Sequence, residues 1–139
     1  MKVTIAGAGA GAGAVGTFVA ADLRASGHEV LVIEKDPELV ARMSPTSAFD
    51  WFAGDACEVT TLDDASLGAA DVVVTATGED QVNLVFALLA KQEFGVPRIV
   101  ARVNDPRNKW LFDESWGVDV AVSIPHLLTA LIEEAVSVG

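Results

Sequence analysis

Hydrophobic and polar positions along the chain alternate between two kinds of segment. Short apolar runs rich in Val and Ile predict strands at 3–6, 29–34 (EVLVIE), 47–53 (SAFDWFA), 71–76 (DVVVTA), 98–103 and 118–122. Between them the spacing predicts helices. The first, 14–26, puts Val15, Phe18, Val19 and Leu23 on one side and is closed by Gly27. Asp36 and Pro37 read as the N-cap and first position of a short helix that buries Leu39, Val40 and Met43. A short acidic helix is expected at 61–67, the longest helix at 80–94, another from 104 to 116 ended by Gly117, and a last one at 126–136. Asp80 and Asp105 both read as helix caps. Most of the strands are unbroken apolar runs, so they are covered on both faces. The expected fold is an α/β, doubly wound parallel six-stranded sheet with helices on both faces.

Composition narrows the function classes. The 139 residues suffice for a single domain, and 51% hydrophobic against 21% charged residues excludes a disordered chain. The net charge of −11 argues against non-specific binding to nucleic acid or anionic lipid, which draws its affinity from basic surface. A single cysteine, Cys57, rules out an intrachain disulfide or a cysteine metal cluster and fits a reducing compartment. No apolar stretch reaches the roughly 18–20 residues that span a bilayer, and the N-terminus carries no cleavage-type signal pattern. His28 and His126 each stand alone and are not expected to be ligands, and Cys57 reads as a small buried residue.

The candidate chemistry begins where the first strand meets the first helix. Gly11-Ala12-Gly13-Ala14-Val15-Gly16 satisfies G-x-G-x-x-G. Gly11 permits the tight turn, Gly13 admits a pyrophosphate against the backbone, and Gly16 lets the helix pack on the strand. The amides of the first helical turn, at Ala14 and Val15, face the phosphates with the positive end of the helix dipole. Four extra residues, Gly7-Ala8-Gly9-Ala10, precede the motif, so Gly7 and Gly9 are alternative holders of these roles. Glu34 ends the second strand 21 residues after Gly13, where a carboxylate accepts both ribose hydroxyls of an adenosine and repels a 2′-phosphate. Lys35 beside it weakens that exclusion. In such a sheet ligands lie beyond the carboxyl ends of the strands. Asp55 and Ala56 therefore stand where an adenine edge would be, Thr75 and Thr77 near ribose or phosphate, Asn83 near a phosphate, and Arg102 near a phosphate or an acid across an interface.

The runs VTIAGAG…AVG, GHEVLVIEKDPE, GDACEVTTLDDA, AADVVVTATGEDQVN, LLAKQEFGVPRIVARVNDP and WGVDVAVSIPHLL resemble the N-terminal nucleotide-binding (RCK/KTN, TrkA-N) domain family of potassium-transport regulators, over nearly the whole chain. The resemblance implies a Rossmann-like fold and binding of NAD(H) or ATP/ADP. It also implies assembly as a homodimer or larger ring, and a cytoplasmic place against a membrane potassium channel or transporter. The matching positions are Gly11, Gly13, Gly16, Glu34, Asp55, Thr75, Thr77, Asn83 and Arg102. Family members often carry an arginine after the second glycine. This chain has Ala14 there, which favours NAD(H) or ADP over sensing of a γ-phosphate. The second regulatory domain usual in the family is not expected within residues 1–139.

Two other classes compete with a regulatory switch. An NAD-dependent oxidoreductase needs a substrate pocket and an acid/base group near the nicotinamide. The chain has no Tyr for a Tyr/Lys relay, and the six βα units leave nothing for a second wall. No enzyme activity is therefore expected. A structural module with a vestigial site is the third class. In the switch reading the last helix, with Leu127, Leu128, Leu131 and Ile132, packs on a partner subunit, and its alternative is packing on its own sheet.

Overall fold

The computed structural model describes residues 1–7 and 13–138, with side chains at 1–7 and 15–137. Its sheet contains β1 (Lys2–Ala6), β2 (Glu29–Glu34), β3 (Asp50–Ala53), β4 (Val72–Thr75), β5 (Arg98–Val103) and β6 (Val120–Ser123). All neighbours are parallel, in the order β3-β2-β1-β4-β5-β6. The reversal between β1 and β4 is the switch point of a doubly wound sheet, where the strand ends part and leave a crevice. The expected fold class is the one observed.

The helices are α1 (Gly13–Ala25), α2 (Pro37–Met43), α3 (Val59–Asp64), α4 (Asp80–Gln92) and α5 (Ile124–Val138). One face of the sheet is packed by α3, α4 and the segment after β5. Ile33, Ala6, Val73, Ile99, Ala101 and Val103 meet Leu62, Phe86, Ala87, Ala90 and Phe112 there. Phe86 is fully buried, and burial of such a ring contributes about 1.5–3 kcal/mol. The other face is packed by α1, whose Ala20, Val19 and Leu23 sit on Val3, Ile5, Val30 and Val32.

Several elements depart from the sequence expectation. The third strand starts at Asp50 rather than 47, because Ser44–Thr46 forms a 3₁₀ turn and the Ser47 hydroxyl accepts from the Trp51 indole N–H at 2.8 Å. The acidic helix runs Val59–Asp64 and stops at Ser66, which is left-handed (φ 56°). The single helix expected at 104–116 is two 3₁₀ segments, Pro106–Leu111 and Glu114–Trp116. They part at Phe112, which is buried in the core. Asp105 does cap the first, accepting from the Arg107 amide at 3.0 Å. Asp36 caps α2 through the Glu38 amide at 3.0 Å, but no residue of α2 is fully buried, so Leu39, Val40 and Met43 only half-cover the sheet. The last helix starts at Ile124, two residues early, and is exposed from Ile124 through Ser137.

Candidate functional site

Gly7 ends β1 with φ +113°, a backbone conformation that side chains avoid. A Cβ built there would lie 2.6 Å from the Ala76 carbonyl carbon and oxygen and 2.7 Å from the Thr77 nitrogen. The Ala76 amide in turn donates to the Ala6 carbonyl at 2.8 Å. Only glycine lets the ends of β1 and β4 approach this closely. Gly16, one turn into α1, is buried, and a Cβ there would strike the Gly7 carbonyl oxygen. The role expected of Gly16, close packing of helix on strand, is what the geometry requires. The close approach of β1 and β4 at Gly7 is a different role from those expected of Gly11 and Gly13. Gly11 lies outside the described residues. Gly13 and Ala14 open α1, and Val15 is exposed on its first turn.

Beyond these ends opens a crevice of about 460 Å³. Its floor is Ala6, Gly7 and Ile33. One wall is Glu34, Lys35, Gly54, Asp55, Ala56 and Cys57, and the other is Thr77, Gly78, Glu79 and Val82. The volume falls in the range of small-molecule sites. Glu34 is 8% exposed, and its Oε1 accepts from the Asp36 amide at 3.2 Å, which fixes the carboxylate at the strand end. The Gly54 amide donates to the Glu34 carbonyl at 2.9 Å, which ties the ends of β2 and β3 together. Asp55 Oδ1 accepts from the Cys57 amide at 2.8 Å, forming the turn that presents Ala56 and Cys57. The Cys57 thiol is half-buried and touches the Val82 carbonyl at 3.9 Å. Burial, then the Asp55 charge, hold that thiol above its ordinary pKa, with Lys35 opposing and Glu79 adding. It is a weak nucleophile at neutral pH.

Four of the thirteen sequence-predicted site residues line this crevice on one wall: Glu34, Lys35, Asp55 and Ala56. Thr77 lines it on the other. Three further residues lie apart from the crevice lining. Thr75 is fully buried with its hydroxyl on the α4 face of the sheet and no partner, so it is walled off from the crevice. Asn83 is also fully buried, and its amide is consumed. Oδ1 accepts from the Thr77 amide (3.0 Å) and hydroxyl (2.7 Å), while Nδ2 donates to the carbonyls of Thr77 (3.1 Å) and Arg102 (2.9 Å). It acts as a strut between Thr77 and the Arg102 backbone. Arg102 lies on β5, two strands from β1, and is not among the described crevice residues.

Asp80 departs from its expected role as a cap. The N-cap of α4 is Glu79, and Asp80 instead accepts four hydrogen bonds from the segment after β5. Burial raises its pKa, but the bonds from the Asn104 amide, the Asn108 side chain, the Asp105 amide and the Asn104 side chain outweigh this and leave it below the usual carboxylate range. Sequence reading also missed Gly54, Cys57, Glu79 and Val82 as crevice residues. Gly54 had a signal, a glycine directly after a strand. A Cβ there would meet the Thr61 side chain, with the hydroxyl at 3.2 Å. Neither histidine faces the crevice. His28 Nδ1 lies 3.4 Å from the N-terminal amine, and His126 Nδ1 lies 2.7 Å from Ser123 Oγ. No helix of the described residues is long and apolar enough to cross a membrane, and no cluster of metal-ligating side chains occurs among them.

Comparison with known proteins places this geometry in a family. The family model for the TrkA-N domain matches residues 10–124. The chain is 54% identical over all 139 residues to the Trk system potassium uptake protein TrkA of Mycobacterium tuberculosis (strain ATCC 25618 / H37Rv), and spans 61% of that protein's length. Among solved structures, the TrkA-N domain of inner membrane protein ybaL from Escherichia coli shares the fold, with a TM-score of 0.80 at 17% identity, covering 96% of this chain and 95% of that one. The GsuK channel bound to NAD also shares it, with a TM-score of 0.75 at 18% identity, covering 91% of this chain and 22% of the other. GsuK has been solved bound to ADP as well. The chain belongs to the TrkA-N domain family.

Proposed function

We propose that the crevice binds NAD(H) or an adenine nucleotide, ATP or ADP, and that occupancy regulates a membrane potassium channel or transporter from its cytoplasmic side. The observation that carries this reading is the pairing of Glu34 and Asp55 on one wall of a crevice floored by Gly7. Glu34 stands where both ribose hydroxyls would donate to a carboxylate. Ala56 and the Asp55 turn border the place of the adenine. The phosphates would fall toward the glycine turn and the start of α1, where backbone amides and the helix dipole supply positive potential. The crevice holds three carboxylates, Glu34, Asp55 and Glu79, against one Lys35. That balance favours NAD(H) or ADP over the more highly charged ATP.

The names of the relatives support the partner: the M. tuberculosis protein is a potassium uptake protein, and GsuK, a channel, has been solved with NAD and with ADP. The chain spans 61% of that TrkA's length, so the whole protein's activity is part of this proposal. Assembly with a second copy is the companion reading. α5 exposes Ile124, Leu127, Leu128, Leu131, Ile132 and Val136, each by more than half, and Val120 on the adjoining strand is 42% exposed. Two ligand states that prefer different dimer geometries would shift the equilibrium by their difference in affinity, typically about 1–3 kcal/mol.

Calorimetry with NAD, NADH, ATP, ADP and AMP tests the reading. Saturable binding with unequal affinities and no turnover of NADH supports a switch. Turnover of NADH with a substrate would instead make the chain an oxidoreductase. Failure of all five to bind would leave a structural module.

A further inference from the structure

The inner side of the crevice wall is tied to a distant part of the chain. Thr77, on that wall, has its amide, hydroxyl and carbonyl all engaged by Asn83. Its carbonyl also accepts from Asn104 Nδ2 at 2.9 Å, across 27 residues of sequence. Three residues on, both oxygens of Asp80 are doubly loaded. Oδ1 accepts from the Asn104 amide (2.6 Å) and Asn104 Nδ2 (3.1 Å). Oδ2 accepts from the Asp105 amide (2.9 Å) and Asn108 Nδ2 (3.0 Å). None of the ion pairs among the described residues involves Asp80, so its charge is held by amides.

The partner segment leads to α5. Asn104 and Asp105 are the turn after β5, and Asn108 lies in the 3₁₀ segment Pro106–Leu111. Pro106 faces α5 across a cleft of about 360 Å³ whose other side is Pro125, His126, Thr129, Ala130 and Glu133. Hydrogen bonds thus run from the crevice wall and Asp80 to the turn and 3₁₀ segment after β5, and the backbone of that segment lies within 8 Å of α5.

We propose that Asp80, with Asn104 and Asn108, is a positioning clasp that makes the crevice wall at 77–79 and the root of α5 move as one unit. The clasp lets a ligand that orders the wall also order α5, and this ligand arm rests on the nucleotide reading above. A carboxylate is required because four N–H donors converge on two oxygens. An amide at the same place would turn one acceptor into a donor facing a donor. The role is positional, since Asp80 itself does not line the crevice.

Hydrogen exchange measured by mass spectrometry on the whole chain tests the clasp, with no ligand needed. Asp80→Asn should raise exchange about tenfold in 76–79, in 104–111 and at the start of α5 together, while α1 and β2 stay unchanged. Asn108→Ala, which removes one bond of four, should raise the same three segments several-fold, and serves if Asp80→Asn fails to fold. Faster exchange confined to 104–105, with 76–79 and α5 at the rates of the unaltered protein, overturns the clasp. A second arm adds saturating NADH or ADP. The unaltered protein should gain protection at 77–79 and in α5, and Asp80→Asn should bind but lose the α5 protection. Equal α5 protection in both proteins overturns the proposal. Absence of binding by the unaltered protein refutes the nucleotide reading and leaves the ligand-free comparison to decide the clasp.

Discussion

The two halves of the sheet face that carries α1 are finished differently. One row of side chains crosses it from β2 to β6: Val32, Ile5, Val74, Val100 and Val120, fixed side by side by the strand register. Val32 and Ile5 lie under α1 and are fully buried, Val74 and Val100 are half-buried, and Val120 is 42% exposed. On the opposite face the neighbouring row, Ile33, Ala6, Thr75 and Ala101, is buried throughout. Among the described residues, one layer of the core is complete and the other is closed over only half of the sheet. The finished half holds the glycine contact, and the crevice opens at the strand ends over Ala6 and Ile33 of the completed opposite layer. The bare half lies at the β6 edge, which leads into the exposed α5. A site that must hold its shape sits over the closed core, and surface that a second copy could cover is concentrated where the core stops.

Substitutions should separate the two halves, with the largest effect in the closed one. Gly16→Ala places a methyl against the Gly7 carbonyl oxygen, where backbone cannot yield cheaply. A loss of about 3 kcal/mol or more in urea unfolding is expected, as for other overpacked sites at the upper end. Normal stability would mean that α1 does not pack on β1 as described. In the bare half, Leu128→Asp with Leu131→Asp should leave unfolding of the monomer within about 0.5 kcal/mol, as exposed positions do. The same pair should abolish self-association in sedimentation. A strictly monomeric protein destabilised by several kcal/mol would mean that α5 covers its own sheet in solution.

The smallest effect expected is on acid stability. Asp119 feels burial most, which raises its pKa, but the Lys91 ammonium at 2.9 Å and the Ile99 amide at 2.7 Å outweigh it and hold the carboxyl low. Asp80 is lowered likewise by its amides. A carboxyl lowered on folding stabilises the protein above its unfolded value, about 3.9, and that contribution is lost as pH falls through the lower folded value. The melting temperature should therefore drop more steeply below about pH 4 in the unaltered protein than in Asp80→Asn or Asp119→Asn. Parallel curves would show that neither carboxylate is held low.

The sequence made the frame legible because the frame is local. The limits of β2 and β5 follow from their apolar runs and match to the residue. The roles of Asp36, Asp105 and Gly117 follow from chemistry within three residues, and all three hold, Gly117 at φ +79°. What stayed hidden depends on distant partners. Asp80 has the residue type and position of a cap, and only the fold brings Asn104 and Asn108 to it. Asn83 looks like a polar group at a helix start, yet Arg102, 19 residues on, supplies the carbonyl that consumes its amide. The close approach at Gly7 required knowing that β4 pairs beside β1. Of the crevice, the wall bearing Glu34 and Asp55 coincides with positions expected beyond the ends of the second and third strands, because strand ends are local features of the sequence.

The central claim is that an adenosine is gripped by Glu34 at the end of β2. Titration calorimetry of NADH or ADP into the unaltered protein and into Glu34→Ala tests it most directly. Saturable binding that weakens by about 1–3 kcal/mol in the variant, roughly 5- to 150-fold, is the predicted result. Equal affinity in both proteins, with the fold of the variant intact, would contradict the account.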